Sequence, residues 1–279
     1  MGRGELIWLV LFRPFKLYQA VKAGRVSWGR VLVVSLASAV VAVVVAVLAA
    51  IALRITVLEA FKVPAGSMFP GLEIGDHLFV TKSTYGTFTK SSPTRGDVVV
   101  FQYPDPNPDA ERPDYVKRVM AVAGDELSFE NGAPIINGWR VPSCKLGRAS
   151  ATLGDDSARD YVVVVEFLEG RAYLVALEEG RGDGRQGPYH VKPGEFWVAG
   201  DNRNNSFDSR AWFGGRGGGV PIGNLKGRAR WLWFPQDRQG IDLAGKLVLP
   251  KVLEQLQPEL ERCLEAVPDL AHTSPPPPK

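Results

Sequence analysis

Between Val31 and Leu53 the chain carries no charged residue, only Val, Ala, Leu, Ile and two serines. At about 1.5 Å of rise per residue a helix of this length crosses the roughly 30 Å hydrocarbon core of a bilayer. Core helices of soluble domains seldom run so far without a polar face. A cleaved secretory signal has an apolar region of only about 7–15 residues, nearer the N-terminus. The expectation is therefore one transmembrane helix over residues 31–53.

Charge around the span orients it. The chain carries +3 overall, yet residues 1–30 hold Arg3, Arg13, Lys16, Lys22, Arg25 and Arg30 against Glu5 alone. Beyond Leu53 the near side shows only Arg54, Glu59 and Lys62. The positive-inside rule then keeps the N-terminus in the cytoplasm and places everything after Leu53 outside. Within the arm, the apolar run Leu6–Phe12 is too short to span; with Arg13, Phe15, Lys16 and Tyr18 behind it, it reads as an interfacial helix against anionic headgroups. With the basic excess in the arm, the rest of the chain has no basic stripe, so no nucleic-acid partner is expected. Cys144 and Cys263 are too few for a disulfide scaffold and lack metal spacing. They could pair in an oxidising compartment, although the expectation leans towards two free thiols.

Downstream of the span the pattern changes to short β-type runs: His77–Thr81, Asp97–Phe101, Tyr115–Val119, Tyr161–Phe167, Ala172–Leu177, Phe196–Val198 and Ala229–Phe234. Helical spacing returns only over Leu243–Val267, broken by Pro250 and Pro258, and the Pro-rich tail Thr273–Lys279 reads as disordered. The middle, about Ser128 to Lys192, is rich in Gly/Asp/Arg loops and reads as an inserted subdomain. The predicted organisation is an arm over 1–30, the span over 31–53, a mainly β core over 54–127 and 193–242 interrupted by a subdomain over 128–192, and a helical segment and tail over 243–279.

Ser67, in Phe61-Lys62-Val63-Pro64-Ala65-Gly66-Ser67-Met68-Phe69-Pro70, sits on a Gly/Pro-bounded turn. Alone it reads as a turn serine; as a nucleophile it needs a base. His77, His190 and His272 are not barred by sequence distance from a Ser-His-Asp triad, since such triads assemble across any separation. A lysine serves when burial lowers its pKa. On Tyr115-Val116-Lys117-Arg118-Val119, alternation puts Tyr115, Lys117 and Val119 on one face, so Lys117 is either a desolvated base or an edge-strand lysine that blunts aggregation.

Four motifs carry a resemblance. Ser67-Met68-Phe69-Pro70, Arg95-Gly96-Asp97-Val98-Val99-Val100-Phe101, Lys117-Arg118-Val119 with Gly124-Asp125, and the run Gly200-Asp201-Asn202-Arg203-Asn204-Asn205-Ser206-Phe207-Asp208-Ser209-Arg210 resemble, in order, the conserved boxes of bacterial type I signal peptidases, membrane-anchored Ser-Lys endopeptidases. The resemblance implies an antiparallel-sheet catalytic domain of signal-peptidase type, with an inserted β subdomain, behind one transmembrane helix. It implies Ser67 as nucleophile, Lys117 as general base, Ser206 holding the lysine ammonium, Asp208 and Arg210 as an ion pair beneath the site, and Gly200 keeping backbone close to Lys117. Phe61, Val63, Pro64, Ala65, Leu72, Tyr115 and Val116 match positions bordering shallow pockets for small side chains. No cofactor or metal is implied. Preprotein signal peptides would be the substrate, membrane lipid the other partner, and the protein a monomer in the plasma (inner) membrane with its catalytic domain on the periplasmic or extracytoplasmic face.

The chain departs from the pattern at Ala65, where many members carry a serine that donates to the oxyanion, and at Ala121 and Ala123 in the lysine motif. Asn204 stands for a common Asp, and Gly214–Gly219 looks inserted. Two further readings follow from other classes: a catalytically impaired family member acting as a scaffold, and a self-cleaving repressor, which the span in place of a DNA-binding module disfavours.

Overall fold

The structure is a computed structural model; it describes residues 14–24, 27–56, 58–84, 91–107, 109–154, 157–182, 184–234, 247–266 and 273–278. The chain forms two compact units, Met1–Thr56 and Val57–Lys279. The first holds helices Pro14–Lys22 and Trp28–Thr56. Ser27 caps the longer one, its Oγ accepting a bond from the Arg30 amide at 3.4 Å. Within it Trp28–Ile51 is long and apolar enough to cross a membrane, and almost none of that stretch is buried. The expected interfacial run Leu6–Phe12 lies outside the described residues; the helix observed in the arm is Pro14–Lys22.

The second unit is mainly β. A seven-stranded antiparallel sheet has the order β1-β2-β14-β3-β4-β12-β13. Its strands are β1 Leu58–Lys62, β2 His77–Thr81, β3 Val98–Gln102, β4 Asp114–Val122, β12 Glu195–Ala199, β13 Val220–Pro221 and β14 Leu225–Phe234. Runs such as Val98-Val99-Val100-Phe101 are buried throughout, as expected where both faces of a strand are covered. The intervening chain builds two further sheets. One is β8 Ser143–Thr152, β9 Ala158–Leu168 and β10 Arg171–Glu178. The other is β5 Glu126–Glu130, β6 Ala133–Ile136, β7 Trp139–Arg140 and β11 Arg185–His190.

Three expectations are corrected here. Cys144 of β8 and Cys263 are joined in a disulfide with Cα atoms 5.9 Å apart. Both border the cluster of Phe69, Tyr161, Val163, Leu253, Leu256 and Leu260, so burial of the C-terminal segment brings the two sulfurs together. Pro258 begins a helix instead of breaking one: it lies in the first turn of Gln257–Ala266, where a missing N–H costs nothing, behind a 3₁₀ stretch over Lys251–Leu256. The tail is docked where it is described: Thr273 is buried, its carbonyl accepts from the Glu169 amide at 2.9 Å, and Asn137 donates to the Pro276 carbonyl at 2.7 Å. On β14, Arg228 pairs with Asp97 at 3.0 Å.

Candidate active site

Ser67 occupies a single 3₁₀ turn, Gly66–Met68, just after β1. The turn is anchored on both sides: Met68 and Phe69 are buried, and Asn202 binds both carbonyls next to the hydroxyl. The Asn202 amide donates to Ser67 O at 3.1 Å and its Nδ2 to Gly66 O at 3.2 Å. A segment 135 residues away therefore sets the position of the serine.

Lys117 projects from β4, whose residues pair with β3 as Lys117↔Val99. It is 2% exposed, and its Nζ donates to Ser67 Oγ at 2.6 Å and to the Val116 carbonyl at 3.0 Å. Burial lowers its pKa to about 8, outweighing the upward pull of Asp208 and Asp201; Arg210 adds to the lowering. Such a lysine is partly neutral near physiological pH and, within hydrogen-bond reach, can take the serine proton. No histidine borders this site among the described residues: His77 lies in β2, His190 is exposed on β11, and His272 is outside the described residues.

The Gly200–Arg210 segment packs behind the pair. Asp208 and Arg210 form a buried bidentate ion pair, Nε to Oδ1 at 2.9 Å and Nη2 to Oδ2 at 2.7 Å. Burial alone would raise the Asp208 carboxyl, but Arg210 and the Gly200 amide hold it below the usual carboxylate value. Two expected roles change. Gly200 is required by its approach to Ser67 and Ser206: a Cβ there would fall within van der Waals overlap of the Ser67 carbonyl oxygen and the Ser206 hydroxyl. Ser206 makes no bond to the lysine, whose Nζ contacts Ser67 and Val116; its buried Oγ lies beside the Asp208 carboxylate and helps to hold that carboxyl low.

A cleft of about 570 Å³ opens in front of Ser67 and Lys117. Val63, Pro64, Ala65, Tyr115 and Val116 border it as expected, whereas Phe61 and Leu72 do not. Leu72 is buried in the cluster of Val63, Met68, Leu78 and Val80, and Phe61 of β1 packs against the same cluster.

A family model described as signal peptidase, peptidase S26, matches residues 36–234. The chain belongs to this family. A protein of Pseudomonas fluorescens named signal peptidase I is 34% identical over 203 residues, covering 65% of this chain and 66% of that protein. A signal peptidase I of Rickettsia typhi is 30% identical over 210 residues, covering 66% of this chain and 75% of its own. The chain thus spans just under two thirds of the Pseudomonas relative. A solved signal peptidase I of Enterococcus faecalis, 19% identical, covers 50% of this chain and 97% of that one at a TM-score of 0.27, which carries no argument here. Family membership together with the apolar helix Trp28–Thr56 suggests a membrane-anchored protein.

Relative to the family motifs, the structure adds residues that sequence reasoning gave no role. Ile74, Leu153, Asn205 and Phe207 also border the cleft. Leu153, at the tip beyond β8, lies against the serine turn so closely that a Cβ on Gly66 would meet its Cβ at 3.1 Å. No local signal in the polar run around Leu153 marks this contact. Asn202 was legible only as part of the Gly-Asp-Asn-Arg box.

Proposed function

We propose that this chain is a membrane-bound serine endopeptidase that removes N-terminal signal peptides from exported preproteins, with Ser67 as nucleophile and Lys117 as general base. The observation that carries the reading is the 2.6 Å contact between Lys117 Nζ and Ser67 Oγ around a buried lysine whose pKa falls to about 8. Neutral Lys117 takes the Ser67 proton as Oγ attacks the scissile carbonyl, and the resulting ammonium, bonded to the Val116 carbonyl, gives that proton to the leaving amine. Water, deprotonated by the same lysine, then releases the acyl group from Ser67. With an alanine at position 65, the Ser67 amide is the oxyanion donor this reading assigns.

Bulky walls at Val63, Ile74, Tyr115 and Val116 support small side chains at the cleaved bond. The substrate would lie extended beside β4 and the stretch after β1. The basic arm and apolar helix support a single-pass anchor with its N-terminus in the cytoplasm and the β unit on the outer face of the plasma membrane, acting as a monomer. The test is cleavage of a preprotein by the full-length protein in detergent. Ser67→Ala and Lys117→Ala are each expected to abolish it, and persistent cleavage by either variant would remove the Ser-Lys mechanism.

A further inference from the structure

A second cleft, of about 580 Å³, lies on the other side of the Gly200–Arg210 segment. The two share a wall: Asn205 and Phe207 border the Ser67 cleft, while Asn204 and Ser206 border the second. Five arginines line it, Arg181, Arg185, Arg203, Arg210 and Arg216, and no carboxylate borders it among the described residues. Asp183, in the same loop, is outside those residues.

The five cations are held differently. Arg203 and Arg210 are buried and fixed by carboxylates behind the cleft: Arg203 contacts Glu166 at 2.8 and 2.6 Å, and Arg210 contacts Asp208. These two form a rigid cationic floor. Arg181 pairs with Glu178 at 3.2 Å on the exposed rim. Arg185 makes no ion pair, and Arg216 bonds only the Phe213 carbonyl, at 3.1 Å, among the described residues. Their donors are thus open to a ligand. The cleft also holds a polar atom with nothing to bond, the oxygen of the Gln186 carboxamide, which by turning over would present its amino group instead. The backbone there departs from the regular ladder, since the β11–β5 register shifts between Gln186 and Tyr189, placing Gly187 and Pro188 at the rim.

Guanidinium groups without carboxylate partners over a preformed floor match the planar, bidentate demands of a phosphate group. We propose that this arginine cleft is a binding site for a phosphate-bearing ligand, either a free phosphate group or the phosphate of an anionic lipid headgroup. Arg185 and Arg216 supply the contacts, over a floor in which Arg203 and Arg210 are held by Glu166 and Asp208.

The test is calorimetric titration of the full-length protein in zwitterionic detergent at constant ionic strength. The probes are inorganic phosphate, a water-soluble short-chain phosphatidic acid, and the matching phosphatidylcholine. Saturable binding of phosphate and phosphatidic acid, weakened about tenfold or more by the double substitution Arg185→Gln/Arg216→Gln, is expected. Lys226→Gln, which removes a cation paired with Asp114 outside the cleft, should leave it unchanged. Both substituted arginines are exposed, so the double variant should keep the wild-type melting temperature. Equal binding of both probes would identify the phosphate group alone as the ligand, and binding of phosphatidic acid alone would identify the lipid. No saturable binding of either below on the order of 10 mM, or an affinity indifferent to the double substitution, would overturn the proposal.

Discussion

Lys117 and Arg118 are neighbours on β4, and both are almost wholly removed from water, yet their surroundings treat the two cations in opposite ways. Around Arg118 the charge is matched: Asp201 meets it in a bidentate pair at 2.8 and 2.7 Å, the Gly96 carbonyl accepts at 2.9 Å, and the Tyr173 ring lies 3.9 Å away. Its pKa rises. Around Lys117 the contacts are a hydroxyl and a carbonyl, and the carboxylates act only from a distance, so burial wins and the pKa falls. The same depth of burial thus makes one side chain a fixed charge and the other a proton acceptor. Direct carboxylate contact decides which.

Breaking that contrast most severely means giving position 117 a cation that cannot deprotonate. Lys117→Arg should lower the cleavage rate by about 10⁴-fold or more at every pH, as measured by single-turnover cleavage of a preprotein. On the other side of the strand, Asp201→Ala leaves Arg118 buried without its partner. It should destabilise the second unit by about 3–5 kcal/mol in denaturant unfolding, with most of the loss recovered in Arg118→Met/Asp201→Leu.

Lys117→Met should instead stabilise. The folded pKa, about 8, lies below the 10.5 of a free lysine, so the native state disfavours the charged form and the penalty is full below about pH 8. The expected gain is about 3 kcal/mol at pH 7, and it should vanish as pH rises through 10.5. If the gain persists at high pH, packing and not charge is its source. The smallest effect concerns rate: kcat/KM should rise about tenfold per pH unit up to about pH 8 and then level. A profile flat between pH 6 and 8 would mean that Lys117 is not the titrating base.

What the sequence made legible follows the same division between local and distant causes. Strands of consecutive Val and aromatic residues, such as β3, β9 and β10, were readable because burial on both faces leaves a plain apolar run. β8, Ser-Cys-Lys-Leu-Gly-Arg-Ala-Ser-Ala-Thr, was not readable, since it alternates small and polar residues and is held by its long pairing with β9. β11 hides behind a Gly-Pro inside its bulge. Ser67, Lys117, Asp208 and Arg210 came from motifs, and the structure brings the first two into hydrogen-bond contact and pairs the last two beneath them. Ser206 and Gly200 kept their places but not their expected contacts, because a motif fixes which residues meet and not which atoms touch. The docked tail and the disulfide depend on contacts over a hundred residues apart, such as 119 between Cys144 and Cys263, for which the local sequence holds no signal.

That last connection bears on when the molecule is finished. Phe69, two residues beyond Ser67, shares its apolar cluster with Leu253, Leu256, Leu260 and Cys263. A chain emerging from the ribosome lacks these residues until long after the serine turn has been made, so the cluster behind that turn stays open until then. A growing polypeptide thus carries Ser67 and Lys117 in its sequence well before the two share a finished framework.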